Sequence, residues 1–385
     1  MKLPSPLTSA SAIVVLLGFG AWIGGWLLGW VELMVVAAGC LVALTVATPF
    51  VLGRLRLDVT RSLEPNRVMV GEQSIAVLDI ANPRRSPIRP RMIEDAVDGV
   101  AVPIEVPGLP AGGGHQAVFN LPTRRRGVVA VGPAVIARRD PLHLLRREVR
   151  QTDGDTLWVH PRYTPLNSLP VGYAKDLEGP TSDASPAGDV AFHALRDYEP
   201  GDDFRHIHWL STARVGAPVV RHYVDNRRPQ ITVLLDDRAG SYLGDEFEVA
   251  VEIVASLAVS SMLHREPVAV WTTNGPMLGQ TKPGGRDDAL DRLAVIQPGD
   301  GADLDRAAVH ATRQESGTSA IVIVTGAIDP ASLTLAASQA RRHARVIIVR
   351  VWQPDALVPT PIPGAKTIDA ESLDQFRAAW NGTSR

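Results

Sequence analysis

The sequence predicts a multidomain membrane protein: two N-terminal transmembrane helices, a β-sandwich-like module and a doubly wound α/β domain. Three observations carry this. Residues 10–53 form a 44-residue run whose only charge is Glu32. Residues 57–165 are short alternating segments punctuated by turn residues. Residues 231–385 alternate apolar β-branched runs with helical periodicity. The 385 residues are 45% hydrophobic and 21% charged, which excludes a disordered chain. The single cysteine, Cys40, excludes a disulfide framework and a Cys-rich zinc module. The net charge of −2 is unevenly divided: residues 54–150 carry 16 Arg against 10 acids, and residues 151–385 carry 22 basic against 30 acidic side chains. Neither part is basic enough for a general nucleic-acid binder.

A helix crosses the hydrocarbon core in about 20 residues. The run within residues 1–56 therefore fits two spans, about 10–29 and 33–53, around a turn at Gly29-Trp30-Val31-Glu32. Trp22, Trp26 and Trp30 recur every four residues on one helical face, which places Trp26 and Trp30 for the interface. A cleaved signal peptide needs a basic leader and a short apolar core; here only Lys2 precedes a run several times too long. Lys2 before the pair and Arg54 and Arg56 after it put both ends in the cytoplasm by the positive-inside rule. That side also suits a disulfide-free body. Glu32, at the turn, reads as hydrated, and the hairpin reads as a lipid anchor without a transport pathway.

In residues 57–165, Arg67–Val70, Ser74–Ile80, Gln116–Phe119 and Gly127–Val131 alternate in period two. Asn82-Pro83, the stretch Pro110–Gly114 and Gly132-Pro133 separate them, as in an antiparallel sandwich. Arg124-Arg125-Arg126 reads as a solvated strand start, with anionic lipid as the alternative contact.

Residues 166–230 read as a loop and motif segment, dense in unusual residues: Arg196, Tyr198, Pro200, Gly201, Asp202, Asp203, Arg205, His206, His208, Trp209 and Arg214. Pro200-Gly201 makes a turn, and Asp202 or Asp203 is placed to N-cap a short helix. The motif reads as structural, with Arg205 or Arg214 paired to Asp202 or Asp203. The competing reading is a metal hydrolase on His206, His208, Asp202 and Asp203, with His193 or His222 as further ligands. Against it, residues two apart on a helix point about 200° apart and do not chelate one ion.

The spacing Arg196-x-Tyr198-x-Pro200-Gly201-Asp202-Asp203-x-Arg205-x-Ile207-His208-Trp209, then Ala213-Arg214, resembles the signature of an uncharacterised bacterial membrane-protein family, number fifty-eight among the domains of unknown function. The paired spans, the sandwich, Arg125-Arg126-Gly127 and Asp140-Pro141 resemble the same family. The Phe-Gly-Leu usual after that Asp-Pro is Leu142-His143-Leu144 here.

In residues 231–385, strands are expected at 231–236, 267–273, 320–325 and 345–352. Helices are expected at 246–264, 287–296, 304–314 and 331–343. The alternation argues a parallel sheet covered on both faces, with ligands beyond the strand C-termini. Asp236, Asp237, Thr272, Thr273, Thr325 and Asp329 fall there. The order resembles a von Willebrand factor A-type domain, which related proteins of the family carry. That resemblance implies an Mg²⁺ site on Asp-x-Ser-x-Ser with a later Thr and Asp. Here the serine positions are Arg238 and Gly240, Ser241 is one residue out of register, and Thr-Asp-Gly becomes Thr325-Gly326-Ala327. The expectation is therefore no metal or other cofactor, missing convergent hydroxyls, and Arg238 paired with Asp236.

No G-x-S-x-G elbow, P-loop or zinc-spaced Cys/His cluster is present, so the residues favour an interaction protein over an enzyme. The resemblance implies an adaptor or assembly factor working with a MoxR-type AAA+ ATPase, and with other membrane proteins of its operon.

Overall fold

A computed structural model of the chain describes residues 9–51, 57–168, 190–199, 202, 204, 207–225, 230–279, 285–315, 318–326, 329–342, 344–352 and 360–382. Arg54, Arg56, Pro200, Gly201, Asp203, Arg205 and His206 lie outside these residues, as do the side chains of His193 and His222. The chain divides into two compact units, Met1–His160 and Pro161–Arg385.

The first unit opens with α1 (Ser9–Leu28) and α2 (Val31–Val51). Gly29, at φ +71°, supplies the left-handed turn between them. Both helices are long and apolar enough to cross a membrane. The helices approach closely through small residues: a Cβ on Gly18 would lie 2.9 Å from that of Cys40, and one on Gly25 3.1 Å from the Trp30 carbonyl. Their large apolar side chains point outward, Leu16 at 71%, Trp26 at 72% and Val31 at 70% exposure. Farther along the chain, the buried Asp140 carboxylate accepts the amides of Leu142 (2.9 Å) and Leu145 (2.6 Å). This turn presents Leu144 and Leu145 to Ala43, Leu44 and Ala47 of α2.

The β-rich part has two sheets. The first is antiparallel, in the order β1 (Asp58–Glu64), β3 (Ile75–Ala81), β6 (Gly114–Asn120). The second runs β2 (Arg67–Met69), β9 (Asp155–His160), β7 (Gly127–Arg139), β4 (Arg91–Val97), β5 (Val100–Val106), with β8 (Arg146–Arg150) on β7. Period-two burial puts Val59, Leu78 and Ile80 of one sheet in a single apolar cluster with Ile93, Ile136 and Leu157 of the other. One pair departs from the expected antiparallel pattern: β2 runs parallel to β9. The rest of the module provides the long crossover that a parallel neighbour needs.

A buried cation links the two sheets. Arg61 of β1, fully buried, donates to Asp95 of β4 at 2.9 Å, to Asp155 at 2.9 Å and to the Asp153 carbonyl. A Cβ on Gly132, whose φ is +94°, would run into that guanidinium. Glycine is therefore needed there for both backbone and space.

The second unit begins with an extended strap laid on α4 (Glu246–Leu263). Arg162 pairs with Glu252 at 2.7 Å, the Thr164 amide donates to Ser256 at 3.0 Å, and the Leu166 amide to Ser260 at 2.9 Å. Two residues of extended chain advance about 6.6 Å and four residues of helix about 6.0 Å, so the period-two strap matches a period-four helix face. The strap also meets the last helix, α8 (Leu373–Gly382). Trp380 Nε1 donates to the Asn167 carbonyl and the Asn167 amide to Asn381, both at 2.9 Å.

The six-stranded sheet of this unit runs β14 (Gly275–Leu278), β13 (Val268–Thr272), β12 (Gln230–Leu235), β15 (Thr318–Thr325), β16 (Arg345–Val351), β17 (Lys366–Ala370). All pairs are parallel except β13–β14. Alternate residues serve opposite cores. Ile231, Val233 and Leu235 face the cluster containing α4, α5 (Arg286–Val295) and α8. Leu234, Ile321 and Ile323 face α6 (Leu304–Gln314) and α7 (Pro330–Ala340). Every residue of β12, β13 and, but for Ser319, β15 is buried, as continuous apolar runs require. The sequence reading lacked β14, β17 and α8.

Candidate functional site

The chemistry concentrates where β12, β13 and β15 end. Asp236, fully buried, follows β12. Its Oδ1 accepts the Arg238 amide at 3.2 Å and Arg238 Nε at 2.8 Å. Its Oδ2 accepts Arg238 Nη2 at 2.8 Å, Ser241 Oγ at 2.9 Å and Thr325 Oγ1 at 2.8 Å. Sequence spacing predicted that the hydroxyls would be missing, and this is corrected. A 3₁₀ turn over Ala239–Ser241 tightens the backbone and brings Ser241 back to the carboxylate. Gly240 makes no such contribution, and Thr272 Oγ1 is engaged by the Asn274 amide at 3.1 Å.

The neighbouring Asp237 is also buried and holds the β13 end. It accepts the Thr273 amide at 3.0 Å, the Thr273 hydroxyl and Asn274 Nδ2 at 3.0 Å. Its carbonyl takes the Gly299 amide at 2.8 Å, and the Gly299 carbonyl takes the Ala239 amide at 2.9 Å. Gly326 passes so close to Ser241 that a Cβ would strike the Ser241 carbonyl. Tyr242, absent from the sequence reading, donates its hydroxyl to the Asp236 carbonyl and stands edge-on to Phe247 at 5.2 Å. Burial, then the Asp236 charge, pushes the Tyr242 phenol well above its ordinary value.

Arg238 forms a bidentate ion pair with Asp236. Its hydrogen bonds to Asp236, and behind them the charges of Asp236 and Asp303, outweigh burial and raise its guanidinium above the ordinary value. A hard divalent cation needs several oxygen ligands around an open position. With a permanent guanidinium bidentate on the one available carboxylate, these residues do not fit such an ion. Beside Asp237 an open cleft of about 450 Å³ is lined by Asn274, Pro276, Met277, Arg292, Val295 and Ile296.

The motif segment lies elsewhere in this unit; of the expected 166–230 loop and motif segment, residues 169–189 lie outside the described residues. β10 (Val190–Asp197) and β11 (Val219–Asp225) pair antiparallel, with α3 (Trp209–Val215) between them. Asp202 does not cap α3; it accepts the Glu199 amide at 2.9 Å and pairs with Arg196 at 2.5 Å, while the expected pairings through Asp203 and Arg205 lie outside the described residues. The cap is His208, whose Nδ1 accepts the Ser211 amide at 3.3 Å and lies 2.7 Å from the Ser211 hydroxyl. That local bond occupies one of the two nitrogens the hydrolase reading would use. Tyr198 stacks on Phe204 at 5.5 Å. Among the described residues, no three His, Cys, Asp or Glu side chains converge as a metal-holding group. Removing the cap by His208→Ala costs about 0.5–2 kcal/mol locally. Hydrogen exchange of the α3 amides should accelerate while the core strands stay protected.

Residues 194–373 match the family model described as "Protein of unknown function DUF58". No curated protein matches. Among solved structures, a CARDB domain from Pyrococcus furiosus is similar at 14% identity over 25% of this chain and 91% of its own, with a TM-score of 0.20. Proximal thread matrix protein 1 of mussel byssus is similar at 11% identity over 40% of this chain and 44% of its own, with a TM-score of 0.29. The Deinococcus radiodurans Ro protein is similar at 14% identity over 41% of this chain and 35% of its own, with a TM-score of 0.26.

Proposed function

Residues 194–373 belong to the family described as Protein of unknown function DUF58, and from the geometry beyond the strand ends we propose that the chain is a membrane-anchored adaptor that binds a protein partner without metal or catalysis. In this reading α1 and α2 are membrane spans, the two sheets of the first unit form a β-sandwich, and the second unit is a von Willebrand factor A-like domain facing the cytoplasm. One observation carries it: the bidentate Arg238–Asp236 pair puts a covalently attached cation at the strand ends, where crevices of open α/β sheets bind ligands. Ser241 and Thr325 are spent on the same carboxylate, so the cluster shapes a surface and leaves no nucleophile beside a free base. The partner proposed from the sequence resemblance is a MoxR-type AAA+ ATPase, docking on the cleft beside Asp237.

The test uses the full chain in detergent or nanodiscs with a nucleotide-free MoxR-type ATPase from the same genome. Binding should be equal in EDTA and in millimolar Mg²⁺, and weaker in Arg292→Glu and Val295→Asp. Absent binding, or binding that requires the ion, overturns the reading. Calorimetry should likewise show no heat of Mg²⁺ or Mn²⁺ binding, and EDTA should leave the melting temperature unchanged. A stoichiometric titration abolished by Asp236→Ala would contradict this.

A further inference from the structure

Helix α3 is built inside out. It is capped at both ends, by His208 and by Gly216 in the left-handed conformation, yet none of its residues is buried. At 100° per residue, Trp209, Ala213, Leu210 and Arg214 share one arc of about 140°. The polar Ser211 and Thr212 lie on the opposite arc, bonded to His208 and to the Val219 amide. The chain thus turns its polar residues toward the β10–β11 hairpin and its apolar ones outward. On that outward arc Trp209 and Leu210 are 69% and 62% exposed, while Val215, 65% exposed, lies on the other arc and Phe204, 67% exposed, precedes the helix. Single exposed apolar residues need no explanation, but Trp209, Leu210 and Ala213 together on one arc form an apolar helix face.

Charge says what the patch fits. Residues 207–220, around the helix, contain no Asp or Glu and one Arg, Arg214, within a stretch, 151–385, that holds 30 acids against 22 bases. Trp and Leu beside Arg, without carboxylates, is the composition of a surface that lies in the headgroup layer of an anionic bilayer. A body tethered by membrane spans stays at high effective concentration near that layer, so a weak contact suffices.

We infer that the α3 face is a second membrane contact, with Trp209 and Leu210 seated at the headgroup–acyl boundary and Arg214 on lipid phosphate. This rests on the reading of α1 and α2 as spans, and the experiment separates the two. The full chain, with Cys40→Ala, is reconstituted in phosphatidylethanolamine–phosphatidylglycerol vesicles. It carries an environment-sensitive fluorophore at Leu41→Cys, Leu210→Cys, Ala213→Cys or Leu335→Cys. Leu41 is 67% exposed on α2 and Leu335 48% exposed on α7. Each label is quenched by nitroxide lipid and, separately, by aqueous iodide. Labels at 41, 210 and 213 should be quenched by the lipid and shielded from iodide several-fold relative to 335. Quenching at 210 and 213 should fall in phosphatidylcholine vesicles and with Arg214→Glu. A label at 41 that misses the lipid quencher overturns the span reading. Labels at 210 and 213 as open to iodide as 335, or shielded from both quenchers by a protein surface, overturn the inference while leaving the spans intact.

Discussion

Arg61→Met destabilises the first unit by about 3–5 kcal/mol at neutral pH, the range for removing one member of a buried ion pair. The cost arises in what remains. Asp95 is fully buried and keeps its charge without its nearest cation, while Asp155, half exposed, turns to water. The loss should depend on pH, with a sign set by Asp95. Burial already raises its carboxyl above the ordinary 3.8, with the charge and hydrogen bond of Arg61 pulling the other way. A carboxyl raised in the folded state contributes stability below the unfolded value and loses it as pH rises through the folded value. Without Arg61 the carboxyl rises further. The gap between wild type and Arg61→Met should therefore be widest near pH 7–8 and narrow as the pH falls toward 3.8. Denaturant titrations across that range measure it. A gap that widens in acid would show that Asp95 is not the group responsible. Arg61→Met with Asp95→Leu should recover most of the loss, because two apolar residues leave no orphaned charge.

Asp236→Ala produces a loss of similar size in the second unit, about 3–5 kcal/mol. Five donor contacts converge on that carboxylate, two of them from hydroxyls whose residues are themselves buried. Removing it leaves Ser241 and Thr325 without their acceptor, and Arg238 must seek water through its 26% exposed side chain. Asp236→Asn should lose less, since its carbonyl oxygen still accepts. Arg238→Ala differs in kind: the carboxylate and the Ser241 and Thr325 hydroxyls remain as an oxygen set that no longer holds a guanidinium. Millimolar Mg²⁺ should raise the melting temperature of Arg238→Ala and leave wild type unmoved. Equal responses in the two proteins would show that Arg238 does not take the cation's place.

The elements carrying most of the α/β unit were legible because their runs are long and unmixed. The expected 304–314 helix is α6, and the expected strands differ from β12, β13, β15 and β16 by no more than two residues at either end. What escaped was short or compositionally disguised. β14 contains Gly275-Pro276, which reads as a turn but suits an edge strand, and β17 is only five residues. At the candidate site, Asp236 and Arg238 were legible from their spacing, whereas Ser241 and Tyr242 depend on a 3₁₀ turn that no periodicity encodes. Arg61 left a signal that was available: it shares the parity of Val59 and Leu63 in β1, so an inward arginine was implied by the alternation itself.

The stitch between the strap and α8 also has a mechanical meaning. Asn167 near the start of the second unit is hydrogen-bonded to Trp380 and Asn381 near its end, and the strap is bonded to three successive turns of α4. A pull transmitted through residue 161 therefore loads several bonds in parallel, in shear along a helix, instead of peeling them one at a time. If a motor partner tugs on this unit, the first structure to yield should lie outside the stitch. Cutting the stitch by Trp380→Ala would lower the unfolding force of the unit by more than its effect on equilibrium stability suggests.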